Sequence, residues 1–325
     1  MFLTIILLIL GFILLIKGAD IFVDGASSLA ENFKVPKMII ALTIVAFGTS
    51  APELAVSTQA ILKGSSEIVL GNVVGSNILN ILLILGVSSL FSKIYVKDDT
   101  VHKEIPFTIL FSILLTVICF DNILDKSALN IISRNDGIII LLFFMIFIYY
   151  LINSMKKNKK KDEVVKPKFN ILTSILLLVL GLVGIVAGSN FVVESASKIA
   201  RFLGVSDKLI SLTIVALGTS LPELVTSVEA SRKGENDIAI GNVIGSNIFN
   251  IGVVIGLPVT VINTINVGTF NYIDMFMMVF SALLLYILTR KDKQIGKKNG
   301  IMMLLMFIIY YMYVLLGGLK WYLKN

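Results

Sequence analysis

Two glutamates set in apolar sequence are the side chains best placed to do chemistry in this chain. Glu53 closes the run Val-Ala-Phe-Gly-Thr-Ser-Ala-Pro-Glu at 45–53, and Glu223 closes Val-Ala-Leu-Gly-Thr-Ser-Leu-Pro-Glu at 215–223, 170 residues later. A carboxylate inside a membrane segment costs about 2.5–3.5 kcal/mol on insertion scales, so each marks a functional position. Two of them, related by an internal repeat, predict one cation site shared between two halves. Proline inside a helix removes a backbone hydrogen bond and clashes with the carbonyl four residues back, and a nearby glycine loosens the chain further. Helix breaks are therefore expected from Gly48 to Pro52 and from Gly218 to Pro222. Carbonyls released near Ala46 and Thr49, and near Ala216 and Thr219, become oxygen ligands beside the hydroxyls of Ser50 and Ser220. Such breaks persist only where protein or a water-filled cavity covers them.

A second shared block follows each glutamate. It reads Gly-Asn-Val-Val-Gly-Ser-Asn-Ile-Leu-Asn at 71–80 and Gly-Asn-Val-Ile-Gly-Ser-Asn-Ile-Phe-Asn at 241–250. Ser76 and Asn80 are four apart, as are Ser246 and Asn250, so each pair lies on one helix face. They offer neutral oxygens toward the carboxylates. Asn72, Asn77, Asn242 and Asn247 fit either the site or the packing of helices, and Gly71, Gly75, Gly241 and Gly245 permit close approach in lipid. The donor set is all oxygen, which suits hard cations. With one histidine, His102, and one cysteine, Cys119, there is no cluster for zinc or copper and no intrachain disulfide. Two ionised glutamates balance one calcium ion, and sodium takes the same oxygen types. No metal-binding histidine motif and no nucleophile with a base is evident, so the sequence predicts neither an enzyme nor a cofactor. A passive channel is the weaker reading, because repeats with midplane carboxylates suit alternating access.

The elements that must position these residues are membrane helices. The 325-residue chain is 56% hydrophobic with a mean hydropathy of +0.93, and 15% of it is charged, against about 25% in average globular domains. A span takes about 20 mostly apolar residues. Apolar segments fall near 2–30, 36–61, 67–91, 105–121 and 136–153, then near 170–200, 207–231, 237–262, 270–289 and 300–319. Residues 2–16 lack a basic start and a cleavage site, so they read as part of the first span and not as a signal peptide. Aligning 36–86 on 206–256 without a gap gives 27 identities in 51 positions. The reading is an all-α polytopic membrane protein of ten transmembrane helices in two inverted five-helix repeats. The first repeat takes residues 1–155, a basic cytoplasmic linker 156–168, and the second repeat 169–325.

An odd number of spans per repeat turns the second copy over. With both termini outside, the inner loops hold 19 lysines and arginines and the outer ones 8, with Lys17 completing the 28. The positive-inside rule therefore favours an integral plasma-membrane protein with both termini outside. The net charge of +7 lies in these membrane-flanking loops, which argues against nucleic acid as a partner. The expected partners are ions and lipid, with no obligatory protein partner. Asp20, Asp24 and Glu194 are expected at the membrane interface. Glu229, matched in the repeat by Gln59, either lines an access path or sits at a helix end near Arg232.

The paired Thr-Ser-x-Pro-Glu and Gly-Asn-Val-x-Gly-Ser-Asn blocks resemble the alpha-repeats of the sodium/calcium exchangers, a branch of the cation/calcium antiporter superfamily. The resemblance covers both repeats and the ten-span layout. It implies a prokaryotic-type antiporter that exchanges sodium for calcium by alternating access, with four ion sites clustered at the midplane. Glu53 and Glu223 would be the shared carboxylate ligands. Ala46, Thr49, Ser50 and Ser76 would contribute from the first half, and Ala216, Thr219, Ser220 and Ser246 from the second. Asn80 and Asn250 would stand at the centre. Some relatives, the potassium-dependent exchangers among them, carry aspartate where Asn250 stands, so potassium co-transport is not expected. The first and sixth spans look like the family's sliding pair. The runner-up is a proton/calcium antiporter of the same superfamily.

Overall fold

A computed structural model gives the fold and describes residues 1–64, 66–120, 130–158, 167–204, 216–262, 264–267 and 272–324. In chain order the helices are α1 (Phe2–Phe33), α2 (Lys37–Thr49), α3 (Ala51–Leu62), α4 (Ile68–Phe91), α5 (Thr100–Cys119), α6 (Arg134–Lys156), α7 (Ile171–Phe202), α8 (Leu221–Arg232), α9 (Asn236–Val261), α10 (Tyr272–Asp292) and α11 (Lys297–Leu316). Among the described residues, eight of these are long and apolar enough to cross a membrane alone. Helices α2 and α3, bent by 47° at their junction, are long and apolar enough for a ninth if they are taken together as one span. The chain is thus an all-helical integral membrane protein. The expected tenth span takes in residues 205–215, which lie outside the described residues, as does most of the expected linker.

The longest helices, α1 and α7, pack with their backbones touching. A Cβ on Gly11 would lie 2.9 Å from the Gly188 carbonyl, one on Gly18 2.9 Å from that of Gly181, and one on Gly25 2.9 Å from that of Ser174. Numbers rise along α1 as they fall along α7, so the two run antiparallel. Small residues at seven-residue intervals keep one face of each helix bare, which is how helices gain close van der Waals contact in lipid.

The two Gly-Asn-Val blocks lie on α4 and α9, and these form the centre. Over its most apolar stretch α9 is 94% buried and α4 72%, whereas α6 and α11 are only 17% buried and turn their apolar faces outward. The asparagines and serines of the blocks explain the order, since polar groups facing hydrocarbon would lack hydrogen-bond partners. Two small antiparallel clips complete the frame. β1 (Ile94–Tyr95) pairs with β4 (Gln294–Ile295), placing Ile94 opposite Ile295; β2 (Ile131–Ile132) pairs with β3 (Ile265–Asn266), placing Ile132 opposite Ile265. Each clip joins the segment after a central helix in one half to the segment before the last helix of the other half.

Candidate ion-binding site

The site begins at the two helix breaks. Ser50 and Ser220 cap the N-termini of α3 and α8, and Pro52 and Pro222 stand in the first turns, where the missing N–H leaves no bond unmade. Glu53 and Glu223 occupy the same turns and are 0% and 1% exposed. Each is reached from the other half. Ser50 donates to Glu223 Oε1 at 3.0 Å, and Ser220 to Glu53 Oε1 at 3.5 Å. Ser76 lies 3.5 Å from the same Glu53 oxygen and 3.2 Å from Ser220. Thr49 donates to Asn242 Oδ1 at 3.0 Å and lies 3.5 Å from Ser246; Thr219 meets Asn72 Oδ1 at 3.5 Å.

Two asparagines fix the backbone of the glutamates. Asn72 donates to the Glu53 carbonyl at 3.2 Å and to Ser57 at 3.0 Å; Asn242 donates to the Glu223 carbonyl at 3.3 Å and to Ser227 at 2.9 Å. Two more cross between α4 and α9. Asn77 and Asn247 each donate to the other's carbonyl at 3.2 Å. Their own Oδ1 atoms accept from Asn250 at 3.0 Å and Asn80 at 2.9 Å. With its amide nitrogen committed, each central asparagine has its carbonyl oxygen left over. The helices also widen to π hydrogen bonding over Asn80–Leu85 and Asn250–Ile255, an irregularity frequent at functional sites.

Four buried oxygens of this cluster have no hydrogen-bond partner: Glu53 Oε2, Glu223 Oε2, Asn80 Oδ1 and Asn250 Oδ1. Among the described residues neither glutamate forms a salt bridge, and no three His, Cys, Asp or Glu side chains converge. The arrangement is two buried carboxylates among neutral oxygens with no basic side chain against them.

The structure thus brings together Thr49, Ser50, Glu53, Ser76, Asn80, Thr219, Ser220, Glu223, Ser246 and Asn250. Ala46 departs from the expectation of a released carbonyl: its oxygen accepts from Ser50 N at 3.0 Å and lies 3.4 Å from Thr49 Oγ1. The carbonyl that proline releases is four residues back, and in the second half Ser189 of α7 donates to that Gly218 oxygen at 2.8 Å. Ala216 lies in the short helical turn Ala216–Gly218 just before this break. Sequence reasoning missed Ser57, Ser227 and Ser189. The serine pair carried a signal, since it is identical at the repeat offset; Ser189 carried none, because Ala19 holds its place in the first half. Asp20 and Asp24 are ion-paired with Lys233, Glu194 is exposed, and Glu229 pairs with Arg232 at 3.3 Å.

A helical membrane protein with buried carboxylates and neutral oxygens gathered at two helix breaks has the design of an ion transporter. The comparisons with known proteins make this specific. The family described as sodium/calcium exchanger protein matches residues 3–153 and 173–316, so the chain belongs to that family. It is 38% identical over 316 residues to the putative antiporter CaxA of Alkalimonas amylolytica, covering 94% of this chain and 96% of that one. It is 32% identical over 339 residues to the sodium/calcium exchanger MaX1 of Methanosarcina acetivorans, covering 94% and 96%. Among solved structures, the sodium-calcium exchanger NCX_Mj soaked with zero Na+ and Ca2+ superposes with a TM-score of 0.82 at 36% identity, covering 96% of this chain and 99% of that one. The family is one of transporters, not enzymes.

Proposed function

We propose that this protein exchanges sodium for calcium across the cell membrane by alternating access. The observation that carries this is the pair of buried glutamates with unpartnered oxygens and, among the described residues, no basic partner. An ionised carboxylate buried without a counter-charge is unstable, and a hard cation with several oxygen ligands supplies the charge and the missing bonds together. The ligands we assign are the side chains of Thr49, Ser50, Glu53, Ser76, Asn80, Thr219, Ser220, Glu223, Ser246 and Asn250 with the carbonyls of Ala46 and Ala216. The names of MaX1 and NCX_Mj as sodium/calcium exchangers support these ions over others. In this reading ten spans form two inverted halves, with 156–168 in the cytoplasm and both termini outside. The crossed clips and the matched Asn77 and Asn247 bonds support the pairing of halves.

With both glutamates ionised, a calcium-loaded site sums to zero, and a site loaded with three sodium ions sums to +1. One charge then crosses per cycle. Calcium flux into proteoliposomes at clamped potentials, driven by a sodium gradient and then by a proton gradient, tests the whole reading. Sodium-driven, voltage-sensitive flux that needs no potassium is expected. Flux that follows only the proton gradient overturns the sodium assignment, and insensitivity to voltage overturns the charge count.

A further inference from the structure

We propose that Lys63 and Glu194 form an ion pair that closes the far end of the α1–α7 pair when the exchanger switches, the counterpart of a latch already closed at the near end. The inference rests on the reading of two inverted halves that alternate. At the near end Lys233, just past α8, sits 2.6 Å from both Asp20 Oδ1 and Asp24 Oδ1 and also donates to the Asp20 carbonyl. Burial alone lowers the Lys233 pKa, but its bonds to Asp20 and Asp24 outweigh this and raise it. Lys37 reaches Glu235 at 2.8 Å beside it. These pairs tie α1 to the second half, and Glu235 to the first.

Shifting Lys233 and Asp24 by the repeat offset of 170 gives Lys63 and Glu194. The opposite charges are kept, and so is the backbone at the lysine. Lys63 N donates to Gln59 O at 3.1 Å, as Lys233 N does to Glu229 O at 3.0 Å. Gly64 and Gly234 then turn the chain with φ of 71° and 75°, a conformation open to glycine. Yet the two positions are in opposite states. Lys63 is exposed and makes no ion pair among the described residues. The Glu194 side chain is 70% exposed, with only Lys198 at 3.9 Å.

The geometry puts the two latches on opposite membrane faces. Gly25 of the closed latch region meets Ser174, and the helical path from Ser174 to Glu194 is roughly 30 Å at 1.5 Å per residue, the thickness of the hydrocarbon core. Inverted repeats switch by moving one half against the other around a fixed site, so a contact made by one half at one face has its mate at the other. Only one latch is closed at a time. They are also unequal. Asn190 and Ser65 stand where Asp20 and Glu235 would be matched, so the near latch has ionic contacts that the far one lacks.

Cross-linking in vesicles tests this with a readout separate from transport, and ion exchange by the same vesicles shows that the variants are folded. In a Cys119→Ala background, one variant carries Lys63→Cys with Glu194→Cys and another Asp24→Cys with Lys233→Cys. A protease site within 159–166 lets a short bifunctional thiol reagent be scored on a denaturing gel, because either link holds the cut halves together. Both pairs should link, and adding Lys233→Glu to the first variant should raise its yield severalfold by opening the near latch. The absence of a link between positions 63 and 194 in vesicles that still exchange ions overturns the proposal. So does a yield indifferent to Lys233→Glu. Should flux prove proton-driven while both results hold, the sodium reading fails and the latch stands.

Discussion

Glu53 and Glu223 have matching surroundings almost residue for residue, whereas the helices passing beside them do not. Ser57 and Asn72 brace one glutamate as Ser227 and Asn242 brace the other. Outside this shell the halves diverge. Ser189 of α7 bonds the Gly218 carbonyl, while Ala19 of α1 stands at the matching place with no hydroxyl. Thr226 is buried with an unpartnered hydroxyl, and its mate Val56 is 37% exposed. In the proposed exchange cycle an ion released to either face leaves a site that treats both faces alike, which favours symmetry among the ligands. In that cycle the contacts of α1 and α7 would set which face rests open, and there the halves are free to differ.

The largest test of this contrast is at the carboxylates. Glu53→Gln and Glu223→Gln should each reduce calcium flux in proteoliposomes on the order of a hundredfold or more, since the charge count of the ligands tunes calcium affinity. The two losses should be alike, and normal flux in either variant breaks the shared site. Next come the crossing asparagines. Asn77→Ala or Asn247→Ala takes the acceptor from one buried amide, that of Asn250 or Asn80, at about 1–3 kcal/mol, and removes one donor from a helix carbonyl. Thermal unfolding in detergent should show similar drops for both variants; a drop confined to one sharpens the account by placing asymmetry inside the site. The smallest effect falls on Ser189→Ala, which should cost about 1 kcal/mol in the same melting assay. Unchanged stability in that variant removes Ser189 from the list of unequal contacts.

Much of the site was legible because its signals are local. Glycine and proline bracketing a short segment foretell a broken span, and a glutamate right after the proline must fall in the first turn of the next helix. What escaped depends on how distant helices meet. Nothing in the sequence says that Asn77 and Asn247 face each other, since that follows from the contact of α4 with α9. The Ala46 carbonyl is not released by the break, because the chain continues helically as far as Ser50, whose N–H bonds it; its second lone pair is what the proposed ligand role uses. The clips were invisible for a plainer reason: two residues are too few to show the alternation that marks a strand.

Those clips bear on how the protein is made. β1 and β2 belong to the first half, but their partners lie at Gln294–Ile295 and Ile265–Asn266. At 5–20 residues per second, translation leaves the first five apolar segments waiting on the order of ten seconds before either partner emerges. During that interval the half-built protein shows two open strand edges, one at each end, and asparagines still without their mates. Pairing of the two halves through these clips therefore waits on residues 265–295 and is a late, joint step.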